Sequence, residues 1–263
     1  MRPTISSCWG TRSGARNIPV KTILRGLLPL VISIGVAVHS SAQSSGWLPE
    51  YGRLLGKYAT PNGVKYSDWK NNAVDLQALQ KVVDGIAQEN VSALSQKEQL
   101  AFYVNAYNAW ILHEALAKYP TKSVKDALFT FFTKKNIKVA GQQTSFKKLE
   151  DDTIRAKFPD PRVHFALNCA SMSCPPLLDE PFSGDKLEGQ FEKLTRGFVN
   201  SERGLRYAAE NKTAQLSKIF DWYKEDFKEG GAVPFINKRR ATPLPADVKI
   251  AYQDYDWSLN EAK

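Results

Sequence analysis

The 263 residues carry 36 Lys and Arg against 27 Asp and Glu, a net charge of +9. Five of those basic residues fall within positions 1–42, where there is no acid, which leaves an ordinary balance of 31 basic against 27 acidic over residues 43–263. The remaining basic residues are scattered, and short clusters such as "NKRR" (Asn237 to Arg240) lack interleaved aromatics, so a nucleic-acid surface is not expected.

The first 42 residues have the composition of an export signal. Arg2, Arg12, Arg16, Lys21 and Arg25 precede the apolar run Gly26 to Val38, and Ser40 and Ala42 supply the small residues of a cleavage site before Gln43. A thirteen-residue apolar run is short of the ~20 residues a spanning helix needs, so no integral membrane segment is expected in the mature chain. The expected location is the periplasm or the cell exterior. Residues 43–263 are long enough to bury a core of their own as one domain. Cys8 leaves with the signal, and Cys169 and Cys174 would then be the thiols of an exported protein, where such pairs tend to close.

A first helix is predicted over about 46–58, ending at the turn "TPNG", and a second over about 73–89. Ser95 followed by Glu98 forms a capping box that opens the longest helix, which runs to about Lys118 before Pro120. Within it "LAFYVNAYNAWILH" (residues 100–113) is apolar on every side, so this helix is expected to be central and buried. Only Asn105 and Asn108 interrupt it, three apart on one face. Buried amides must find partners, which makes them either brackets for a neighbouring loop or part of a polar pocket.

"NIKVAGQQTSF" (136–146) has the pattern of a hairpin turning at Gly141, after which Ser145 caps a helix through about Phe158. "RVHFALN" (162–168) is predicted to be a short buried strand, and Ser183 or Asp185 to start a helix ending near Asn200. "GLRYA" and "TAQLS" suggest a second hairpin, "IFDWYKEDF" a short helix, and "VKIAYQDYDWSLN" a last strand and tail. Helices dominate and strands come as local hairpins. The expected class is therefore α+β: a predominantly helical single domain around a buried central helix.

Four stretches in this order, "FYVNAYNAWIL", "PRVHFALNCASMSCPPL", "LSKIFDWYKEDF" and "YDWSLN", resemble the family of domain of unknown function number 547 over roughly residues 90–260. That family includes secreted bacterial proteins and plant proteins with an added leucine-zipper segment, and the resemblance implies no settled activity. Plant members are similar here but carry small hydroxyl residues in place of the cysteines and the histidine. Joint loss of both cysteines in a reducing compartment is what a structural disulfide implies.

Chemistry concentrates in "HFALNCASMSCPP" (164–176). A Cys169–Cys174 bridge would close a short loop and contribute on the order of 2 kcal/mol or less. Alternatively Cys174, capping a short helix "PPLLDE", or Cys169 is a nucleophile with His164 as its base. His164, Cys169, Cys174 and Asp179 form a weaker zinc pattern, since the spacing is wider than that of zinc ribbons. His113, on the central helix, is a second candidate pocket imidazole, although such a residue is more often a satisfied core histidine. Asp254 or Asp256 could orient a histidine, although Tyr252, Tyr255 and Trp257 more often seal a domain's end with such aspartates at its surface. Two functions follow. One is a binding domain for a small molecule or peptide whose 164–176 loop lines the pocket and is stapled by Cys169–Cys174, with no metal or cofactor. The other is a cysteine-dependent hydrolase or acyl transferase in which Cys174 or Cys169 attacks, His164 shuttles protons, and Asn105, Asn108 and Asn168 position the loop or an oxyanion.

Overall fold

The computed structural model describes residues 46–125, 132–134, 136–228 and 230–262. The expected export signal lies outside them. Among the described residues no helix is long and apolar enough to cross a membrane.

Helix α1 (Leu48–Tyr58) leads through the two-residue strands β1 (Ala59–Thr60) and β2 (Gly63–Val64) into α2 (Tyr66–Lys70) and α3 (Ala73–Gln88). Gly63 sits at φ +143°, and a side chain there would strike the Asn260 carbonyl, so the "TPNG" turn can receive the C-terminal tail. Val64 donates to Asn260 O and accepts from Ala262 N. Asn72 caps α3 by accepting from the Asp75 amide, and Leu79, Val82, Val83 and Ile86 make its buried face.

Central helix α4 (Gln96–Lys118) begins at the Ser95–Glu98 capping box, with both reciprocal hydrogen bonds formed. From Leu100 to Leu112 every residue except Trp110 is buried, so α4 is the axis around which α1, α3 and the later segments pack. Strands β3 (Ile137–Val139) and β4 (Gln142–Thr144) form the predicted hairpin. Ala140 and Gly141 both take positive φ, as a two-residue turn matched to strand twist requires. Their amides donate to Ile86 O, which also accepts from the Glu89 amide, and to Ala87 O, at the last turn of α3.

Ser145 then caps α5 (Phe146–Lys148), which widens into a π-helical stretch over Leu149–Arg155. The expected strand at 162–168 is instead a 3-10 helix, Pro161–Phe165. Asp160 accepts from the Arg162 amide and Pro161 pre-sets the first φ, so the local signals for a helical turn override the apolar run. This turn is a seam: Val163 belongs to the core around α4, whereas Phe165 belongs to a second core. The second core is built by α6 (Leu187–Val199), α7 (Ile219–Trp222), α8 (Ala232–Asn237) and a three-stranded sheet. In that sheet β5 (Leu205–Ala208) pairs antiparallel with β6 (Thr213–Leu216), and β7 (Lys249–Tyr252) pairs parallel with β6. The architecture is α+β and mainly helical, as the pattern predicts, and the described residues all fall in one compact unit.

Candidate functional site

The 164–176 loop is held from behind by amides. Asn108 on α4 donates to Ala166 O and accepts from Asn168 N, both at 2.9 Å. Asn105, one turn earlier, grips Phe182 in the same two-bond manner. Asn168 donates to Pro175 O and accepts from the Ala170 amide, which draws the loop into a tight return with Ala170 at φ 64°. An alanine in left-handed backbone is held there only because surrounding bonds over-determine it. All three asparagines are buried and bind backbone; none lines the pocket described next.

The return places the Cys169 and Cys174 sulfurs at disulfide distance, with the Cα atoms 6.2 Å apart. Tyr255 Oη lies 3.3 Å from each sulfur and 3.0 Å from Ser171 Oγ, and burial pushes its phenol up to about 12. Pro175 to Glu180 forms no helix, so Cys174 caps none, and the expected dipole effect on its thiol has no source. The consecutive prolines and the Asn168 clamp on Pro175 O keep that backbone out of helical pairing.

Both cysteines and His164 share the wall of a pocket of about 510 Å³. Its other walls bring Leu167 and Ile219 together with Trp222, Tyr223, Tyr255 and Trp257, and α4 contributes Tyr107. His113 is elsewhere: it pairs with Gln80 Oε1 at 2.9 Å and packs on Trp110. Among the described residues no group of three or more His, Cys, Asp or Glu side chains is placed to hold a metal ion.

The partner of His164 is Asp226; Asp254 and Asp256 are exposed at the surface and do not orient it. Its Nε2 lies 2.7 Å from Asp226 Oδ2, and its ring stacks on Tyr223 at 3.9 Å. Both Asp254 and Asp256 belong to the tail beyond β7, where Asp256 binds Ser258 instead. Asp226 is also gripped by Arg155 through Nε and Nη2 at 2.7 and 3.1 Å. The His164 bond and the Arg155 guanidinium outweigh partial burial and hold the Asp226 carboxyl well below its usual range. A carboxylate fixed behind an imidazole sets the ring's orientation and tautomer, which is the arrangement a positioned general base requires.

Glu150 supplies the opposite environment in the same wall. Burial raises its pKa above the ordinary glutamate value, while Tyr223 as hydrogen-bonding neighbour and the His164 charge pull it partly back. The site therefore combines an acid that keeps its proton longer than usual with an imidazole held by an ionised acid. Neither Glu150 nor Asp226 is picked out by the sequence. Glu150 hides in the solvated-looking run "KKLEDD", where Glu150 and Asp151 are half-buried at the pocket and Asp152 is exposed. Asp226 does lie inside one of the four recurring stretches, "LSKIFDWYKEDF", and that was its only signal.

Residues 91–199 match the model of a family described as protein of unknown function, DUF547. The matched stretch contains α4, Glu150, His164 and both cysteines, and stops short of Asp226 and Tyr255. No curated protein and no solved structure matches the chain.

Proposed function

The chain belongs to the DUF547 family, and from that premise we propose that it is an exported single-domain binding protein whose pocket beside the 164–176 loop takes a small molecule or a peptide side chain. Support for export comes from the basic, apolar and small-residue order of positions 1–42. Support for binding comes chiefly from one observation: His164, fixed by Asp226, faces a cavity of about 510 Å³ whose walls also carry Glu150 and six aromatic side chains. A ligand's apolar body would lie against Trp222, Trp257 and Ile219, while its polar end meets His164 and Glu150. The Cys169–Cys174 staple would fix the loop's shape.

A ligand-observed NMR screen of small aromatic and heteroaromatic compounds against the oxidised protein tests this. Compounds that bind the wild type should lose affinity in both His164→Gln and Glu150→Gln. A screen without binders, or binders indifferent to both substitutions, would sink the proposal.

A thiol-dependent hydrolase or acyl transferase is the second reading, supported by the placement of both sulfurs in the wall that holds His164. It needs a free thiolate. An intact mass lower by two hydrogens than the dithiol form, with no alkylatable thiol in the native protein, removes it. The bridge itself should contribute about 2 kcal/mol for so short a loop, read as the loss in Cys169→Ser/Cys174→Ser.

A further inference from the structure

A second cavity, of about 760 Å³, shares the same loop through Met172, Ser173 and Pro176 and is bounded by residues of β5, β6 and β7. Five charged side chains line it: Glu202, Arg203, Arg206, Asp254 and Asp256. Two of these are paired with each other, Arg206 Nε lying 3.2 Å from Glu202 Oε2. Asp256 spends an oxygen on the amide and hydroxyl of Ser258, at 2.9 and 2.6 Å.

Arg203 and Asp254 are left over. Among the described residues Arg203 joins no carboxylate, and its hydrogen bond goes from Nη1 to Cys174 O at 3.1 Å. A guanidinium has five N–H donors, so most of its fork is uncommitted. Burial lowers its pKa, with only the field of Tyr255 opposing, so this cation has given up hydration without gaining an acid. Arg240 also has no acid among the described residues, but it bonds two carbonyls, Thr242 O and Val199 O. Asp254 is exposed and takes part in no ion pair among the described residues.

We propose that this groove is a binding site for a zwitterion of amino-acid or short-peptide type, its carboxylate seated on Arg203 and its ammonium on Asp254. A planar carboxylate suits the two-pronged fork. A doubly charged phosphate suits the groove less well, because Glu202, Asp254 and Asp256 all border it. The volume exceeds that of one amino acid and admits a few residues. The groove is distinct from the His164 pocket, and the Arg203 bond to Cys174 O is the contact that joins it to the stapled loop.

Calorimetric titration of the full, oxidised chain with triglycine is the test, beside C-amidated triglycine, N-acetyltriglycine and inorganic phosphate. Triglycine should bind, and amidating its carboxylate should weaken binding by about tenfold or more, the worth of a charge-assisted two-bond contact. Arg203→Lys, which keeps the charge and loses the fork, should weaken triglycine comparably. Asp254→Asn should weaken triglycine while leaving N-acetyltriglycine unchanged. Using modified peptides on the wild-type protein keeps the test independent of any loop disturbance in the Arg203 variant. Absence of triglycine binding, equal affinity for its C-amide, or tighter binding of phosphate overturns the proposal.

Discussion

Asp75 and Glu150 are carboxylates drawn away from bulk water on two sides of the molecule, and their surroundings push them in opposite directions. Asp75, 3 % exposed, receives Arg53 Nη2 at 2.6 Å, Lys57 Nζ at 2.7 Å and Tyr58 Oη at 2.6 Å. Burial alone would raise its pKa, but these three donors together bring it well below the ordinary aspartate value. Glu150 has phenols for neighbours, Tyr223 and Tyr107, and the nearest guanidinium, Arg155, is committed to Asp226 and Asp151. There burial wins. The first arrangement consumes its acid in tying α1 to α3, whereas the second leaves an acid with a proton to lend beside an oriented imidazole.

The largest expected effect is on stability, and it separates the two sites. Asp75→Ala strands the hydroxyl of Tyr58, a residue 2 % exposed whose ring stacks on Trp69 at 4.4 Å. An orphaned buried hydroxyl costs ~1–3 kcal/mol. Glu150→Ala at neutral pH should cost less, because the phenols it abandons border a pocket that water can enter. Urea unfolding of both variants at pH 7 checks the order; a larger loss for Glu150→Ala would mean that Glu150 is a structural tie.

The pH dependence of stability should then carry two slopes of opposite sign. Asp75 has its folded pKa depressed, so the unfolded chain binds more protons in acid. Its contribution is present above the unperturbed ~3.9 and is lost as pH falls through the folded value. Glu150 has its folded pKa raised, so the native state binds more protons above the unperturbed ~4.3, and stability declines with rising pH until the folded value is passed. Asp75→Asn should flatten the acid limb, and Glu150→Gln should remove the decline and leave the variant more stable than wild type at pH 7. Denaturant midpoints from pH 3 to 8 read both, and parallel curves for wild type and Glu150→Gln would show that Glu150 ionises freely.

Very little of this contrast was written in the sequence. Local rules located what local bonds build: the Ser95–Glu98 cap, the turn at Gly141, the all-round burial of α4 and the two asparagines that an apolar helix must partner. They misjudged 162–168, where an apolar run matched a strand but Asp160 and Pro161 imposed a helical turn. They placed His164 without its acid, because Asp226 lies 62 positions away and reaches it only across the seam between two cores. Asp75 likewise stands alone in the otherwise uncharged run "NNAVDLQALQ", and its cations, Arg53 and Lys57, come from α1 and reach it only when α1 and α3 pack.

The smallest expected effect tests whether phenols tune both acids. Tyr223 donates toward Glu150 and thereby lowers it, while its ring carries His164 at 3.9 Å and Arg155 at 5.0 Å. Tyr223→Phe keeps both ring contacts and removes only the hydroxyl, so the Glu150 titration followed by side-chain carbon NMR should move upward. Tyr58→Phe is the matching change at the other site. Asp75 should also rise, yet stay below its ordinary range, since Arg53 and Lys57 remain bonded to it. If Tyr223→Phe leaves Glu150 unmoved while Tyr58→Phe shifts Asp75, water in the pocket, and not the phenol, solvates the Glu150 carboxylate, and the proton it keeps is exchanged with solvent instead of being held for a ligand.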